Sequence, residues 1–181
     1  MAFEIIRDDK FIVTEMTEAA ARVISMWKYD APYESYSFNG DEQELSEVLN
    51  GLHFPVYFTS QKNSEIFLED NAIISNPQGF IAWGPAAKVP CRFFNLRYRG
   101  KKYIDMALGL SPENCGKGFG DDFVKTAISF VQNDWESYIM RLTVESTNKR
   151  AIKVYERNGF VKKRSFKSNG KTFFIMVLEE K

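Results

Sequence analysis

The residues best suited to chemistry in this chain fall in two short runs. The first is Cys115-Gly116-Lys117-Gly118-Phe119-Gly120, with three glycines in five residues. It follows an apolar run that ends at Leu110 and precedes a segment with helical apolar spacing. Glycine lets a main chain turn sharply and lets a ligand approach it closely. A helix opening there offers N–H groups without intrahelical partners and the positive end of its dipole, which suit a phosphate. A tight structural turn is the plainer reading, but three glycines at this spacing favour a ligand. The second run is Asn148-Lys149-Arg150-Ala151-Ile152-Lys153-Val154-Tyr155-Glu156-Arg157-Asn158-Gly159-Phe160. It reads as a helix stopped by Asn-Gly, since glycine accepts a left-handed conformation.

Two familiar phosphate loops fit poorly. A P-loop needs GxxxxGK followed by Ser or Thr. Counting back from Gly116-Lys117, its leading glycine falls on Ser111, and Gly118 follows the lysine. A dinucleotide fingerprint needs GxGxxG. Gly116 and Gly118 fit, while Asp121 stands where the third glycine belongs. A dinucleotide-binding oxidoreductase is therefore a weakened alternative. The chain has one histidine, His53, which excludes a multi-histidine zinc site and disfavours a Ser-His-Asp apparatus. His53 reads as a structural histidine with its hydrogen bonds satisfied.

The second run resembles the pattern N-x-x-A-x-x-x-Y-x-x-x-G-F. With the glycine turn about thirty residues upstream, it is similar to the GNAT superfamily of N-acetyltransferases, over about residues 79–165. Pro112 and the 115–120 turn stand where that family places its proline and its Q/R-x-x-G-x-G/A loop. Trp83-Gly84-Pro85-Ala86-Ala87 also looks like one bacterial branch of the family. Cys115 departs from the pattern, replacing the Gln or Arg that helps order the loop or meet phosphate. A reactive role for Cys115 at a helix N-terminus is a minor option.

The resemblance implies an α/β fold of the GNAT type. This is a single mixed, mostly antiparallel central sheet of about six or seven strands flanked by about four helices. It implies one domain over 1–181, with an acceptor-side half at 1–78 and an acetyl-CoA-binding half at 79–181. The implied reaction moves an acetyl group from acetyl-CoA to a primary amine of a small molecule or protein, in a ternary complex and without a metal. A non-catalytic acyl-CoA-binding module is a further alternative, and Tyr155 weighs against it.

By resemblance, Leu108, Gly109 and Leu110 line the pantetheine arm, and the N–H of Leu110 aims at the acetyl carbonyl. Gly109 would let the strand bulge away from its neighbour. Gly116, Lys117, Gly118, Phe119 and Gly120, with Cys115, cradle the diphosphate. Asn148 and Ala151 belong to the same cofactor surface, and Asn148 also suits a helix cap. Tyr155 stands at the general-acid position, and a phenol with a pKa near 10 suits a leaving thiolate. The base is Asp105, Glu145 or a water chain. Asp121 and Asp122 suit a helix dipole but repel phosphate, so they must point away from it. Trp27, Tyr29, Tyr33, Tyr36, Phe38 and Glu34 lie where an acceptor ammonium would be held, or else form core and an exposed loop. Lys162-Lys163-Arg164 reads as a solvated face, with the 3′-phosphate of coenzyme A as the sharper option.

The elements that must position these residues follow from the pattern. Phe3–Ile6, Phe11–Val13, Val56–Thr59, Gly79–Trp83, Tyr103–Leu110, Ile139–Val144, Phe160–Phe166 and Thr172–Leu178 read as strands, the last two joined at Asn169-Gly170. Helices are expected from Thr17 to about Lys28, Asp41 to Leu49, the glycine turn to about Asn133, and Asn148 to Arg157. The 181 residues suffice for one substantial core, with 44% hydrophobic and 15% aromatic residues. Lys and Arg number 24, as do Asp and Glu, so the basic excess of a nucleic-acid binder is missing. Residues 1–100 carry 9 basic and 14 acidic residues, and 101–181 carry 15 and 10. That asymmetry suits a cation on the first half and an anion on the second. Two distant cysteines, Cys91 and Cys115, and no visible signal peptide or membrane span point to a reducing, cytoplasmic setting. The resemblance permits a homodimer, which no sequence feature demands.

Overall fold

The computed structural model describes residues 6–7, 10–58, 76–89, 98–100, 102–135 and 137–179. Its strands are β1 (Ile6–Arg7), β2 (Phe11–Val13), β3 (His53–Phe58), β4 (Gly79–Trp83), β5 (Tyr103–Leu110), β6 (Ile139–Glu145), β7 (Phe160–Ser168) and β8 (Lys171–Leu178). Its helices are α1 (Glu18–Ser25), α2 (Glu42–Asn50), α3 (Gly120–Trp135) and α4 (Lys149–Arg157). The strand order is β1-β2-β3-β4-β5-β6-β8-β7. The pairs β1–β2, β2–β3, β6–β8 and β7–β8 run antiparallel, and β5–β6 runs parallel. This is the mixed, mostly antiparallel sheet with four helices that the resemblance implies, the two-residue β1 being added to seven longer strands. The strands expected at Phe3 and Thr59 begin or end in residues outside those described, as does Cys91.

The chain forms two compact units. The first joins Met1–Ile81 with Gly109–Lys117. In it Thr17 caps α1, accepting from the Ala20 N–H at 3.2 Å, and Asp41 caps α2, accepting from Glu44 at 2.8 Å. Such caps each contribute about 1 kcal/mol. Helical spacing then brings Ala21 and Ile24 of α1 against Leu45 and Val48 of α2, with Trp27 completing the cluster. The helix stops at Ser25 rather than near Lys28. The Met26 and Trp27 N–H groups bond carbonyls three residues back, Val23 and Ile24, which tightens the last turn. Met26 is 62% exposed and Trp27 only 7%.

The second unit joins Ala82–Leu108 with Gly118–Lys181. The buried face of α3 is Phe123, Val124, Ala127, Phe130 and Val131, and Phe130 meets Trp83 at a ring separation of 5.2 Å. Asn148 caps α4. The β7–β8 hairpin turns at Asn169 (φ 48°) and Gly170 (φ 75°), both left-handed, as a two-residue turn between twisted strands requires.

Candidate active site

The glycine turn begins where β5 stops. Pro112–Asn114 form a single helical turn, with the Asn114 N–H on the Ser111 carbonyl at 2.9 Å. Gly116 (φ 80°) and Gly118 (φ 89°) then adopt left-handed backbone. A Cβ on Gly118 would meet nothing within 4 Å, so the backbone angle alone demands glycine there. Gly120 answers a different need: its Cβ would sit 3.1 Å from the Val154 side chain, where α3 passes close to α4. Gly116, Lys117 and Gly118 are exposed, and Phe119 and Gly120 are half-buried. Asp121 is turned to α4. Its oxygens accept from Arg157 at 3.0 and 2.7 Å and from Asn158 at 3.1 Å. The hydrogen bond from Arg157 holds its carboxyl below the usual range.

The end of β5 is held from several sides. The parallel register pairs Tyr103–Met106 with Ile139–Leu142, and β6 continues to Glu145 in register with β8. Leu108, Gly109 and Leu110 are half-buried. A Cβ on Gly109 would fall 2.3 Å from the Phe80 ring, so the ring would have to shift to admit any larger residue. The Tyr29 phenol donates to the Leu110 carbonyl at 2.8 Å, and the Cys115 thiol points at the same oxygen from 3.8 Å. Burial, with Cys115 adding, pushes the Tyr29 phenol well above its ordinary value, so it stays a donor. The next N–H, of Ser111, donates to the Gln78 carbonyl at 2.9 Å. The Asn114 amide donates to Gln78 Oε1 at 2.5 Å and to Ser111 Oγ at 2.8 Å, and Gln78 Nε2 donates to the Asn76 carbonyl at 2.9 Å. Sequence reasoning missed Gln78, Ser111 and Asn114, and it missed this role of Tyr29.

On α4, the Asn148 Oδ1 accepts from the Ala151 N–H at 3.1 Å, which joins two expected site residues in one cap. Tyr155 is half-buried and meets Phe160 edge-on at 5.9 Å.

The expected bases are both engaged. Asp105 is 3% exposed and lies opposite Arg141 in the β5–β6 register. It accepts from Arg141 Nε at 2.6 Å and Nη2 at 2.7 Å, with Lys88 at 3.5 Å. The same guanidinium donates to the Arg99 and Tyr98 carbonyls and lies over the Tyr98 and Tyr103 rings. Both carboxylate oxygens are thus taken up by one buried guanidinium. Glu145 accepts from Lys171 at 2.9 Å and from Thr147 at 2.7 Å. His53 departs from its expectation: Nδ1 is buried without a hydrogen bond, and burial lowers the ring's pKa. Of the aromatic group, Trp27, Tyr29 and Phe38 belong to the α1–α2 core, Tyr33 is half-buried and Tyr36 is 38% exposed. Lys162 and Lys163 pair with Glu156 and Glu179. Among the described residues, no group of three or more His, Cys, Asp or Glu could hold a metal, and no helix is long and apolar enough to cross a membrane.

From β5 the chain thus runs through a glycine turn into a helix, then a strand, a capped helix and a hairpin. The family model described as the acetyltransferase (GNAT) family matches residues 41–160, and the chain belongs to that family. It is an acetyltransferase with acetyl-CoA as donor. An acetyltransferase (GNAT family) from Bacillus anthracis superimposes with a TM-score of 0.66 at 12% identity, covering 96% of this chain and 97% of that one. The protein yncA from Salmonella typhimurium, solved with its cofactor acetyl-CoA, gives 0.56 at 13%, covering 94% of each. A spermidine N-acetyltransferase SpeG chimera from Vibrio cholerae and hSSAT gives 0.63 at 18%, covering 93% and 95%. At these identities the likeness speaks for the fold. No curated protein matches the sequence.

Proposed function

We propose that this chain acetylates a primary amine by direct attack on acetyl-CoA while both substrates are bound. The observation that carries the reading is the left-handed main chain at Gly116 and Gly118, leading straight into the N-terminus of α3. That geometry suits a diphosphate. The spermidine enzyme among the structural neighbours supports an amine as acceptor.

In this reading the main-chain N–H groups of 116–120, with Cys115 and Lys117 beside them, bind the diphosphate. Leu108–Leu110 bind the pantetheine arm where the β5–β6 register has ended. The Asn148 amide nitrogen, which its cap does not use, bonds the arm near Ala151. The Leu110 N–H stabilises the oxyanion, and losing one such donor costs ~10²–10³ in rate. The acceptor ammonium first sheds a proton to solvent. Its nitrogen then attacks the thioester carbon, a C–N bond forms and the C–S bond breaks. Tyr155 protonates the leaving thiolate and recovers, through water, the proton shed by the new amide nitrogen. With Asp105 and Glu145 both in ion pairs, water takes the amine proton rather than either carboxylate.

Calorimetry with acetyl-CoA, coenzyme A and NADH tests the donor. Binding of the first two and not the third is expected, and no heat with coenzyme A at millimolar concentration overturns the reading. Thiol release with a panel of polyamines, peptide lysines, peptide N-termini, aminoglycosides and amino acids then identifies the acceptor.

A further inference from the structure

The Leu110 carbonyl and the Ser111 N–H belong to one peptide plane, and both of its polar ends are bonded. The carbonyl accepts from Tyr29 at 2.8 Å and the N–H donates to Gln78 at 2.9 Å. The preceding plane, which carries the Leu110 N–H, is joined to Gly109. Glycine has the widest backbone freedom of any residue. A Cβ here would fall 2.3 Å from the Phe80 ring, so any larger residue would have to displace that ring. Bonds that fix the next plane therefore restrict the direction of the Leu110 N–H beyond what the strand imposes. Gln78 does so through its main chain, and Tyr29 does so with its side chain.

We propose that Tyr29 is a positioning residue for acyl transfer: its phenol fixes the 110–111 peptide and thereby aims the Leu110 N–H at the thioester oxygen. This rests on the acetyl-transfer reading above. Tyr29 does not touch the reacting atoms in this account. It acts through the main chain, and the Gln78–Asn114–Ser111 bonds hold the rest of the turn when the phenol is removed. The effect should therefore fall on the chemical step rather than on donor affinity. A small misalignment of a catalytic donor costs rate steeply.

The test is Tyr29→Phe in the full chain, with acetyl-transfer kinetics and coenzyme A calorimetry on both proteins. The expected result is a kcat about tenfold lower, with KM for acetyl-CoA and the Kd for coenzyme A within twofold and the melting temperature held. A parent-like kcat overturns the proposal, and so does a loss of kcat in step with donor affinity or fold. Should Tyr29→Phe not fold, two synthetic residues at position 29 decide. One is 4-aminophenylalanine, which keeps a donor and should restore the parent rate. The other is 4-methylphenylalanine, which keeps volume without a donor and should not; equal rates from the two overturn the proposal. A parent protein that fails to bind coenzyme A defeats the acetyl-transfer reading instead, so the two failures are separable.

Discussion

Replacing Asp105 by Asn separates a structural carboxylate from a catalytic one. Arg141 is 2% exposed, and its guanidinium makes two bonds to Asp105, one each to the Arg99 and Tyr98 carbonyls, and lies 5.3 and 4.8 Å from the Tyr98 and Tyr103 ring centres. Asp105→Asn leaves the carbonyl bonds and ring contacts intact. It removes the negative charge and turns one accepting oxygen into a donor that faces Arg141, with the Lys88 cation 3.5 Å from the site as well. Losing one charge-assisted bond costs about 1.5–3 kcal/mol. An uncompensated buried charge raises the total to roughly 3–4 kcal/mol, within the usual range for breaking such a pair. With a urea m-value of about 2 kcal/mol/M, the unfolding midpoint should drop by roughly 1.5–2 M. Tryptophan fluorescence reports the midpoint, and initial rates across pH report the chemistry on the folded fraction. The folded variant should keep kcat within a few-fold and keep the parent's pH profile. Asp105→Leu with Arg141→Met should recover the stability, because packed apolar residues replace buried ion pairs at little cost. An unchanged midpoint, with kcat down by two orders of magnitude and the acidic limb of the profile gone, would refute the structural role and restore Asp105 as the base.

Tyr155→Phe should lower kcat by about 10²-fold with little change in KM for acetyl-CoA or in melting temperature, since the edge-on contact with Phe160 survives. Turnover at the parent rate would remove Tyr155 from the chemistry. Gly118→Ala should raise KM for acetyl-CoA and cost about 1–2 kcal/mol of stability, because a side chain at φ 89° is strained even where space is open. Equal values in denaturation and kinetics would show the turn to be adaptable. His53 is held below its ordinary 6.5 by burial, so the unfolded chain takes up a proton first as pH falls. Its contribution to stability is complete above pH 6.5 and is lost as pH drops through the folded ring's lower value, with a slope of at most about 1.4 kcal/mol per pH unit. His53→Phe should flatten that part of the pH–stability curve, and an unaltered slope would place the sensitivity elsewhere.

Local chemistry made much of this molecule legible. Thr17, Asp41 and Asn148 announce helices through the bonds their side chains make, and Asn169-Gly170 announces a hairpin through the angles it tolerates. The glycine turn was legible for the same reason. For Asp105, a strand residue's position does not reveal its partner. Arg141 is 36 residues away and becomes its neighbour only through the parallel register. The Tyr29–Leu110 bond spans 81 residues and the Gln78–Asn114 bond 36, and no spacing rule reaches that far. His53 packs beside Phe80 at a ring separation of 5.6 Å with its Nδ1 buried and without a hydrogen bond, which its place in the sequence does not reveal.

Those long-range bonds also bear on the one departure from the family pattern. Cys115 stands where a Gln or Arg side chain would brace the turn, and a thiol is a weak donor. Its Sγ donates to the Leu110 carbonyl at 3.8 Å. Stronger bracing comes from Asn114, 6% exposed, whose single amide group ties Gln78 to Ser111, and from Tyr29 on the carbonyl at the strand end. Buried polar groups bonded to one another in this way resist displacement, because each would be left unsatisfied if the turn moved. The left-handed backbone at Gly116 is thus fixed from the strand side, by residues of its own unit. The position that the family fills with a long polar side chain is then free to carry a small one.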